Sequence, residues 1–386
     1  MTVEIQIPSI LKLGGGCFGE VPAVLSRLGC KRPLIVTDAF LMSRGLPQSL
    51  QASIQQTGIE CGIFSETVPD PTTEVVAAGV TAFVEGRHDG LVSLGGGSPI
   101  DTAKAIGMLA ANGGRARDYK VPNAPPKMGP VHIAIPTTAG TGSEVTRFTV
   151  ISDSETNEKM LIAGGTLLPS AAIVDYELTL TMPPRLTADT GTDSLTHAIE
   201  AYVSRKANAF SDVFALTAMK SIWAELPIAF RDPSNRNARE KMMLAATQAG
   251  IAFSNASVAL VHGMSRPIGV HFHVPHGLSN AMLLPAVTAF SLDAALPRYA
   301  DCARAMGIAD ATEEDGIAGK QLIEALYRRN EELQVPTPRS YGISEEQYFS
   351  LIPTMAAQAL ASGSPQNNPR IPTADEICTL YRQVWS

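Results

Sequence analysis

Asp193, His197, His262 and His276 are of metal-ligand type, and their order along the chain lets them close around one divalent ion. They stand in Thr192-Asp193-Ser194-Leu195-Thr196-His197-Ala198-Ile199-Glu200, in Val261-His262-Gly263-Met264 and in Val274-Pro275-His276-Gly277. Asp193 and His197 lie four apart in a stretch of helical pattern, so both side chains share one face about one turn apart. A mixed imidazole and carboxylate set suits zinc or ferrous iron better than calcium or magnesium, which take all-oxygen shells. Each half alone has a plainer reading. An Asp and a His four apart on a helix are commonly a solvated or hydrogen-bonded pair, and His276 between Pro275 and Gly277 suits a turn at a helix start.

A second signal lies earlier, in Leu91-Val-Ser-Leu-Gly95-Gly96-Gly97-Ser98-Pro99-Ile100-Asp101-Thr102-Ala103-Lys104. An apolar run entering three glycines, then Ser-Pro, then apolar residues at helical spacing predicts a buried strand, a tight turn and a helix with Pro99 in its first turn. Backbone N–H groups at such a start approach a phosphate closely, because glycine has no side chain in the way; a plain glycine turn is the alternative. The pattern is neither the Walker motif nor GxGxxG. A further strand, Ile133–Ile135, enters Pro136-Thr137-Thr138-Ala139-Gly140-Thr141-Gly142-Ser143-Glu144, whose small donors suit phosphate and ribose. Upstream, Pro33-Leu-Ile-Val-Thr37-Asp38 is a strand ending in an acid. A carboxylate there accepts from an adenosine ribose and repels a 2′-phosphate, favouring NAD over NADP, unless Asp38 is an ordinary helix N-cap.

The elements that must position these residues divide the chain in two. Strand patterns at 33–37, 59–64, 90–94, 131–135 and 171–175 alternate with helical patterns near 19–29, 47–56, 73–85 and 98–111, which implies a parallel sheet covered by helices. Residues 146–163 read as an inserted β-hairpin turning at Asp153–Asn157. From 187 onward the chain is rich in Ala, Leu and Met at helical spacing, and Ser362–Arg370 reads as a flexible loop. The expected division is an α/β domain over 1–183 and an all-α domain over 184–386, with a cleft between them setting a dinucleotide opposite the metal.

Composition fits. With 386 residues two cores are expected, and 45% hydrophobic residues suffice to fill them. No apolar run approaches the roughly 18 uninterrupted residues of a membrane span, and the first residues lack the pattern of a signal peptide. Cys17, Cys30, Cys61, Cys302 and Cys378 form no CxxC pair, as expected of reduced thiols in the cytoplasm. The net charge of −7, without a basic stretch, argues against nucleic acid as a partner.

Together the motifs Gly95–Lys104, Pro136–Glu144, Gly191–Ala201 and Pro275–Ala281 resemble those of the iron-containing (group III) alcohol dehydrogenases, in family order and over nearly the whole chain. The likeness extends to lactaldehyde reductases and 1,3-propanediol dehydrogenases. It implies an N-terminal dinucleotide-binding domain and an all-helical C-terminal domain, a dehydroquinate synthase-like architecture, commonly as a homodimer. It implies metal ligands at Asp193, His197, His262 and His276, with ferrous iron as the metal and zinc or nickel as alternatives. It implies NAD contacts at Asp38, Gly96, Gly97, Ser98, Asp101, Thr137, Thr138, Thr141, Ser143 and Lys159. The implied reaction passes a hydride between NAD(H) and a small primary alcohol, diol or aldehyde. Glycerol dehydrogenase-like and dehydroquinate synthase-like members share the architecture, and a metal hydrolase is a reading of another class that leaves the phosphate-binding glycines unexplained. Four protein ligands usually close a structural site, so substrate would have to enter as an additional ligand.

The chain departs from this pattern at Met264-Ser265-Arg266-Pro267. Many members of the family carry a proton-relaying histidine where Arg266 stands, and a guanidinium cannot give up its proton. Water, a cofactor ribose hydroxyl, His271 or His273 would have to serve. Arg266 suits an anionic group on the substrate, or a structural ion pair with Glu200 or another acid. His273 is a further candidate substrate contact, whereas His88 and His132 sit in no motif.

Overall fold

The computed structural model describes residues 2–156 and 158–386. The chain falls into two compact units, Ile5–Thr181 and Met182–Ser386, the latter joined by the N-terminal stretch through Glu4.

The first unit holds β1 (Ile10–Leu13), α1 (Val21–Arg27), β2 (Pro33–Asp38), α2 (Ala39–Ser43), α3 (Leu46–Gln55), β3 (Gly62–Thr67), α4 (Thr73–Glu85), β4 (Gly90–Gly95), α5 (Gly97–Asn112), β5 (Val131–Pro136), β6 (Phe148–Asp153), β7 (Glu158–Ala163) and β8 (Ala171–Val174). Six strands form one sheet in the order β1-β8-β5-β4-β2-β3, with every pairing parallel. Both faces are covered, as the alternation of side chains demands. Ile35, Val92, Leu94, Ile133 and Ile173 pack with Val24, Leu25, Leu50 and Ile54 on one face. Leu34, Val36 and Leu91 pack with Val76, Phe83, Ala103 and Ile106 on the other. The chain goes from β2 outward to β3 and then returns to place β4 on the opposite side of β2. This reversal is the place where open α/β sheets receive ligands, beyond the carboxyl ends of the strands.

β6 and β7 pair antiparallel as the expected hairpin, from Phe148 opposite Ala163 to Asp153 opposite Glu158; of its expected turn, Asn157 lies outside the described residues. Two elements differ from expectation. β1 carries too short an apolar pattern to be read from sequence. β3 starts at Gly62 and runs through the polar Ser65-Glu66 to Thr67, because an edge strand turns alternate side chains to solvent.

The second unit is built from α6 (Pro184–Val203), α7 (Ala209–Arg231), α8 (Arg236–Asn255), α9 (Leu260–Phe272), α10 (His276–Ser291), α11 (Leu296–Ala305), α12 (Asp315–Glu332), α13 (Pro338–Tyr341), α14 (Glu345–Ala361) and α15 (Ala374–Gln383). α6 lies at its centre against α7, α8 and α10 and is buried almost all round, polar side chains included. By length and composition alone, Ala209–Arg231 and His276–Ala305 are apolar enough to cross a membrane. Ser362–Arg370 is not the loose loop expected. A single 3-10 turn over Ser364–Asn367 is buried at Ser364, Pro365 and Asn367, and Asn367 Nδ2 donates to Ser257 Oγ at 2.8 Å and the Val258 carbonyl at 3.2 Å. Asn and Ser read as loop residues by composition, yet here Asn367 ties the turn to the Ser257-Val258 segment.

Candidate metal centre and phosphate loop

Helix periodicity brings Asp193 and His197 together on α6, and two other helix starts complete the cluster. α9 leaves α8 at an angle of 105° after a short break, which delivers His262 in its first turn. His276 is the first residue of α10. Gly277 allows α10 to reach α6, since a Cβ there would lie 2.3 Å from the Asp189 carbonyl oxygen.

Around Asp193 Oδ1 stand His262 Nε2 at 3.5 Å, His276 Nε2 at 3.7 Å and His197 Nε2 at 3.8 Å. Bonds of about 2.1 Å in a tetrahedral shell would space ligand atoms roughly 3.4 Å apart, so these donors fit a divalent ion after small adjustment. Asp193, His262 and His276 converge most closely, with donor atoms within 4.8 Å of one another. His197 shares the Asp193 oxygen, and its ring stacks on Phe253 at 4.2 Å and on His262 at 4.5 Å. Asp193, His197 and His262 are buried, whereas the His276 side chain is 42% exposed and marks the open side. Burial opposes charge on Asp193, but His197, His276 and His262 outweigh it and hold its carboxyl well below the usual range.

Glu200, one turn beyond His197, sets His262. Its Oε2 accepts from His262 Nδ1 at 2.6 Å and Ala259 N–H at 2.9 Å, and its Oε1 from Val261 N–H at 2.6 Å. The carboxylate thus caps α9 and holds the proton on Nδ1, leaving Nε2 for the cluster. Burial alone would lower the His262 pKa; Glu200 and Asp193 instead push it up to about 9. Asn280, one turn after His276, is a second unforeseen neighbour: its Nδ2 donates to Asp193 Oδ1 at 2.6 Å and lies 3.3 Å from both His262 Nε2 and His276 Nε2. Both stood within the recognised motifs, and their place on the same helix faces as the ligands was the available signal.

Arg266 lies one turn beyond His262, and its Nη1 donates to Ser364 Oγ at 3.1 Å. The alternative of an ion pair with Glu200 is not realised, because both Glu200 oxygens are turned to α9 and His262. His271 is tied to Gln358 at 2.9 Å. His273 ends α9 in a left-handed conformation, φ 54°, and is exposed. His132 is a core residue, 2.8 Å from Ser93 Oγ, and His88 Nδ1 meets the Arg32 carbonyl at 3.0 Å.

In the α/β unit the glycine motif forms the expected strand, turn and helix. Gly95, at φ 153°, would place a Cβ 2.5 Å from Pro99 Cγ. Gly96 caps α5 and brings no side chain to bond its first N–H groups, which suits an anion at the helix start. The second loop folds against it. A Cβ on Gly97 would lie 3.1 Å from Thr141 Cγ2, one on Gly96 3.4 Å from Thr138 Cγ2, and Thr137 N–H donates to the Gly95 carbonyl at 2.9 Å. Thr138 Oγ1 is buried without a hydrogen-bond partner among the described residues, an orphan that a cofactor oxygen would satisfy. Ser98 lies in the first turn of α5 and its carbonyl accepts from Thr102 Oγ1 at 2.8 Å. These features fit a dinucleotide phosphate.

The remaining expected contacts are engaged within the unit. Asp101 accepts from Ser143 Oγ at 2.6 Å and Val150 N–H at 2.9 Å. Asp38 caps α2, accepting from Leu41 N–H at 2.8 Å, and Lys159 pairs with Asp70 at 2.7 Å. Lys104, to which the sequence reading gave no role, holds the second loop. Its Nζ lies 2.7 to 3.2 Å from the Ser143, Thr146 and Phe148 carbonyls and the Ser143 and Thr146 hydroxyls. Burial pulls its pKa to about 8 against the attraction of Asp101 and Glu144.

Known proteins of the same kind were found by sequence and by shape. Residues 8–176 match the iron-containing alcohol dehydrogenase model, and 187–385 match that of the Fe-containing alcohol dehydrogenase family, C-terminal. The chain is 40% identical over 379 residues to an NAD-dependent methanol dehydrogenase of Bacillus methanolicus, covering 98% of each. It is 36% identical over 377 residues to the lactaldehyde reductase of Escherichia coli K12, covering 96% of this chain and 97% of the other. A crystal structure of a 1,3-propanediol oxidoreductase superposes with a TM-score of 0.95 at 35% identity, covering both chains fully.

Proposed function

Because the chain belongs to the iron-containing alcohol dehydrogenase family, we propose that it interconverts a small primary alcohol or diol and its aldehyde, with NAD and a divalent metal. The observation that carries this reading is the set of three imidazole nitrogens 3.5 to 3.8 Å from one carboxylate oxygen. A metal held by Asp193, His197, His262 and His276 would supply Lewis acidity, acidifying the alcohol hydroxyl or polarising the carbonyl. Ferrous iron is our first assignment, with zinc or nickel as alternatives, since donor type alone admits all three. Nicotinamide would accept the hydride.

The chain's own residues define the rest. Glu200 and Asn280 orient the ligands, and the solvent-facing side at His276 is where substrate oxygen would arrive. The α5 start, Gly96, Gly97 and Thr138 would take the pyrophosphate, with Thr137, Thr141 and Ser98 lining the same turn. The second Asp38 oxygen would accept from the ribose, favouring NAD. Arg266 keeps its proton, so the hydroxyl proton would leave through water, a ribose hydroxyl or His273. We also read the protein as a cytoplasmic homodimer, with neither membrane nor nucleic acid as partner.

The test is the appearance of NADH with short alcohols, its loss on chelation and its return with ferrous iron, zinc or nickel. Chelator-insensitive turnover would defeat the metal reading, and hydrolysis without NAD would point instead to a metal hydrolase.

A further inference from the structure

Arg266 is a half-buried cation one turn from His262, and little of its hydrogen-bonding capacity is used. Its guanidinium offers five N–H donors, and among the described residues its one hydrogen bond goes to a neutral hydroxyl, Ser364 Oγ. Among the described residues no carboxylate forms an ion pair with it. Arginines that serve the helical unit structurally look different. Arg239 donates to the Pro233 carbonyl at 3.0 Å, Thr187 Oγ1 at 2.8 Å and the Met182 carbonyl at 3.1 Å. Arg298 joins the Tyr202 carbonyl at 2.7 Å to Asp212 at 2.6 Å, and Arg304 joins the Glu313 carbonyl to Asp315, both at 2.6 Å.

The surroundings keep Arg266 in place and within reach. A Cβ on Gly263 would lie 2.8 Å from Pro365 Cγ, so the Ser364–Asn367 turn is packed directly on α9 and fixed by the Asn367 bonds to Ser257 and Val258. The side chain is partly exposed. Burial disfavours its charge and the field of Glu200 restores part of it. Arg266 follows His262 by four residues, so it projects from the same face of α9 about 6 Å further along the axis. A small molecule whose oxygen sits at the cluster would extend toward it.

We infer that Arg266 anchors an anionic group at the far end of the substrate, so that this enzyme acts on short alcohols and aldehydes carrying a carboxylate, sulfonate or phosphate. The inference rests on the dehydrogenase reading above and adds a substrate class to it. The planar fork of a guanidinium meets such anions through paired hydrogen bonds.

The test compares the wild type with Arg266→Gln and Arg266→Lys on 3-hydroxypropanoate and 4-hydroxybutanoate against propan-1-ol and butan-1-ol. The wild type should prefer the acids. In Arg266→Gln the acid-to-neutral ratio of kcat/KM should fall on the order of tenfold to a hundredfold, with Arg266→Lys between. A second arm uses no chemistry: calorimetric titration of the chelated protein with propane-1-sulfonate should show binding that weakens at least about tenfold in Arg266→Gln. Equal losses on acids and neutral alcohols would overturn the inference. So would unchanged sulfonate binding, or a loss confined to the KM for NAD, which would make the cofactor phosphate the anion. If the wild type oxidised no alcohol, the dehydrogenase reading would fail, while the sulfonate arm would still decide the role of Arg266.

Discussion

Glu200 decides which nitrogen of His262 faces the cluster, since a carboxylate 2.6 Å from Nδ1 keeps the proton there. Replacing it by Gln puts an amide donor where two backbone N–H groups and an imidazole N–H need acceptors. Glu200→Gln should therefore weaken metal binding on the order of tenfold to a hundredfold, read by competition with a chelator. Unchanged affinity in a normally folded variant would show that the contact does not tune the ligand. Direct removal of the proposed ligands should be harsher. His262→Ala and His276→Ala should lose bound metal and turnover together, and Asp193→Ala should be at least as damaging because it removes the one anionic donor; full metal occupancy in any of them would strike that residue from the set. Asp38 caps α2, and its proposed ribose contact can be separated from that role by substitution. As a cap its replacement by Gly costs only a few tenths of a kcal/mol, so Asp38→Gly should keep its melting temperature while gaining use of NADP. An unchanged ratio of kcat/KM for the two cofactors would place Asp38 away from the ribose.

At the scale of elements, the centre depends on how closely α10 approaches α6. Gly277→Ala would press a Cβ against the Asp189 carbonyl at 2.3 Å, and the strain cannot be relieved by a flexible side chain. The helix start must retreat, carrying His276 from Asp193, so bound metal should fall and stability should drop by about 1–3 kcal/mol, both measured on the same preparation. Retained metal with normal stability would mean that α10 moves without cost to the site. The sequence made this much visible because Asp193 and His197 stand at helical spacing, His276 follows a proline at a helix start and the glycines stand at element ends. Strand and helix patterns located β2, β4, β5, β8 and the hairpin well, since each carries an alternating or continuous apolar run. β1 escaped because four residues at a sheet edge bury little. The Ser364–Asn367 turn escaped for the opposite reason: its polar composition suggested solvent, whereas Ser364, Pro365 and Asn367 are buried and Asn367 bonds Ser257 Oγ and the Val258 carbonyl. Glu200 and Asn280 share helix faces with the cluster residues, but their shortest contacts, to His262 and Asp193, come from distant segments, as do those of Lys104, and local spacing does not record them.

For the whole molecule, each chemical duty has its own unit: the cluster lies wholly in the helices after Met182, and the glycine and threonine loops lie wholly in the sheet unit before it. Ligands that bind only the native state stabilise what they bind, by about 2.7 kcal/mol at a hundredfold excess over Kd. Where units can open separately, that gain appears locally in amide exchange. Chelation should accordingly speed exchange in α6 and in the first turns of α9 and α10, where Asp193, His262 and His276 meet, and leave the strands β2, β4 and β5 unchanged. Saturating NAD should do the reverse, slowing exchange at the start of α5 and in the Thr137–Ser143 loop of the metal-free protein. Chelation that loosened helices and strands alike would show that the two units open as one cooperative body and that metal binding is felt throughout the chain.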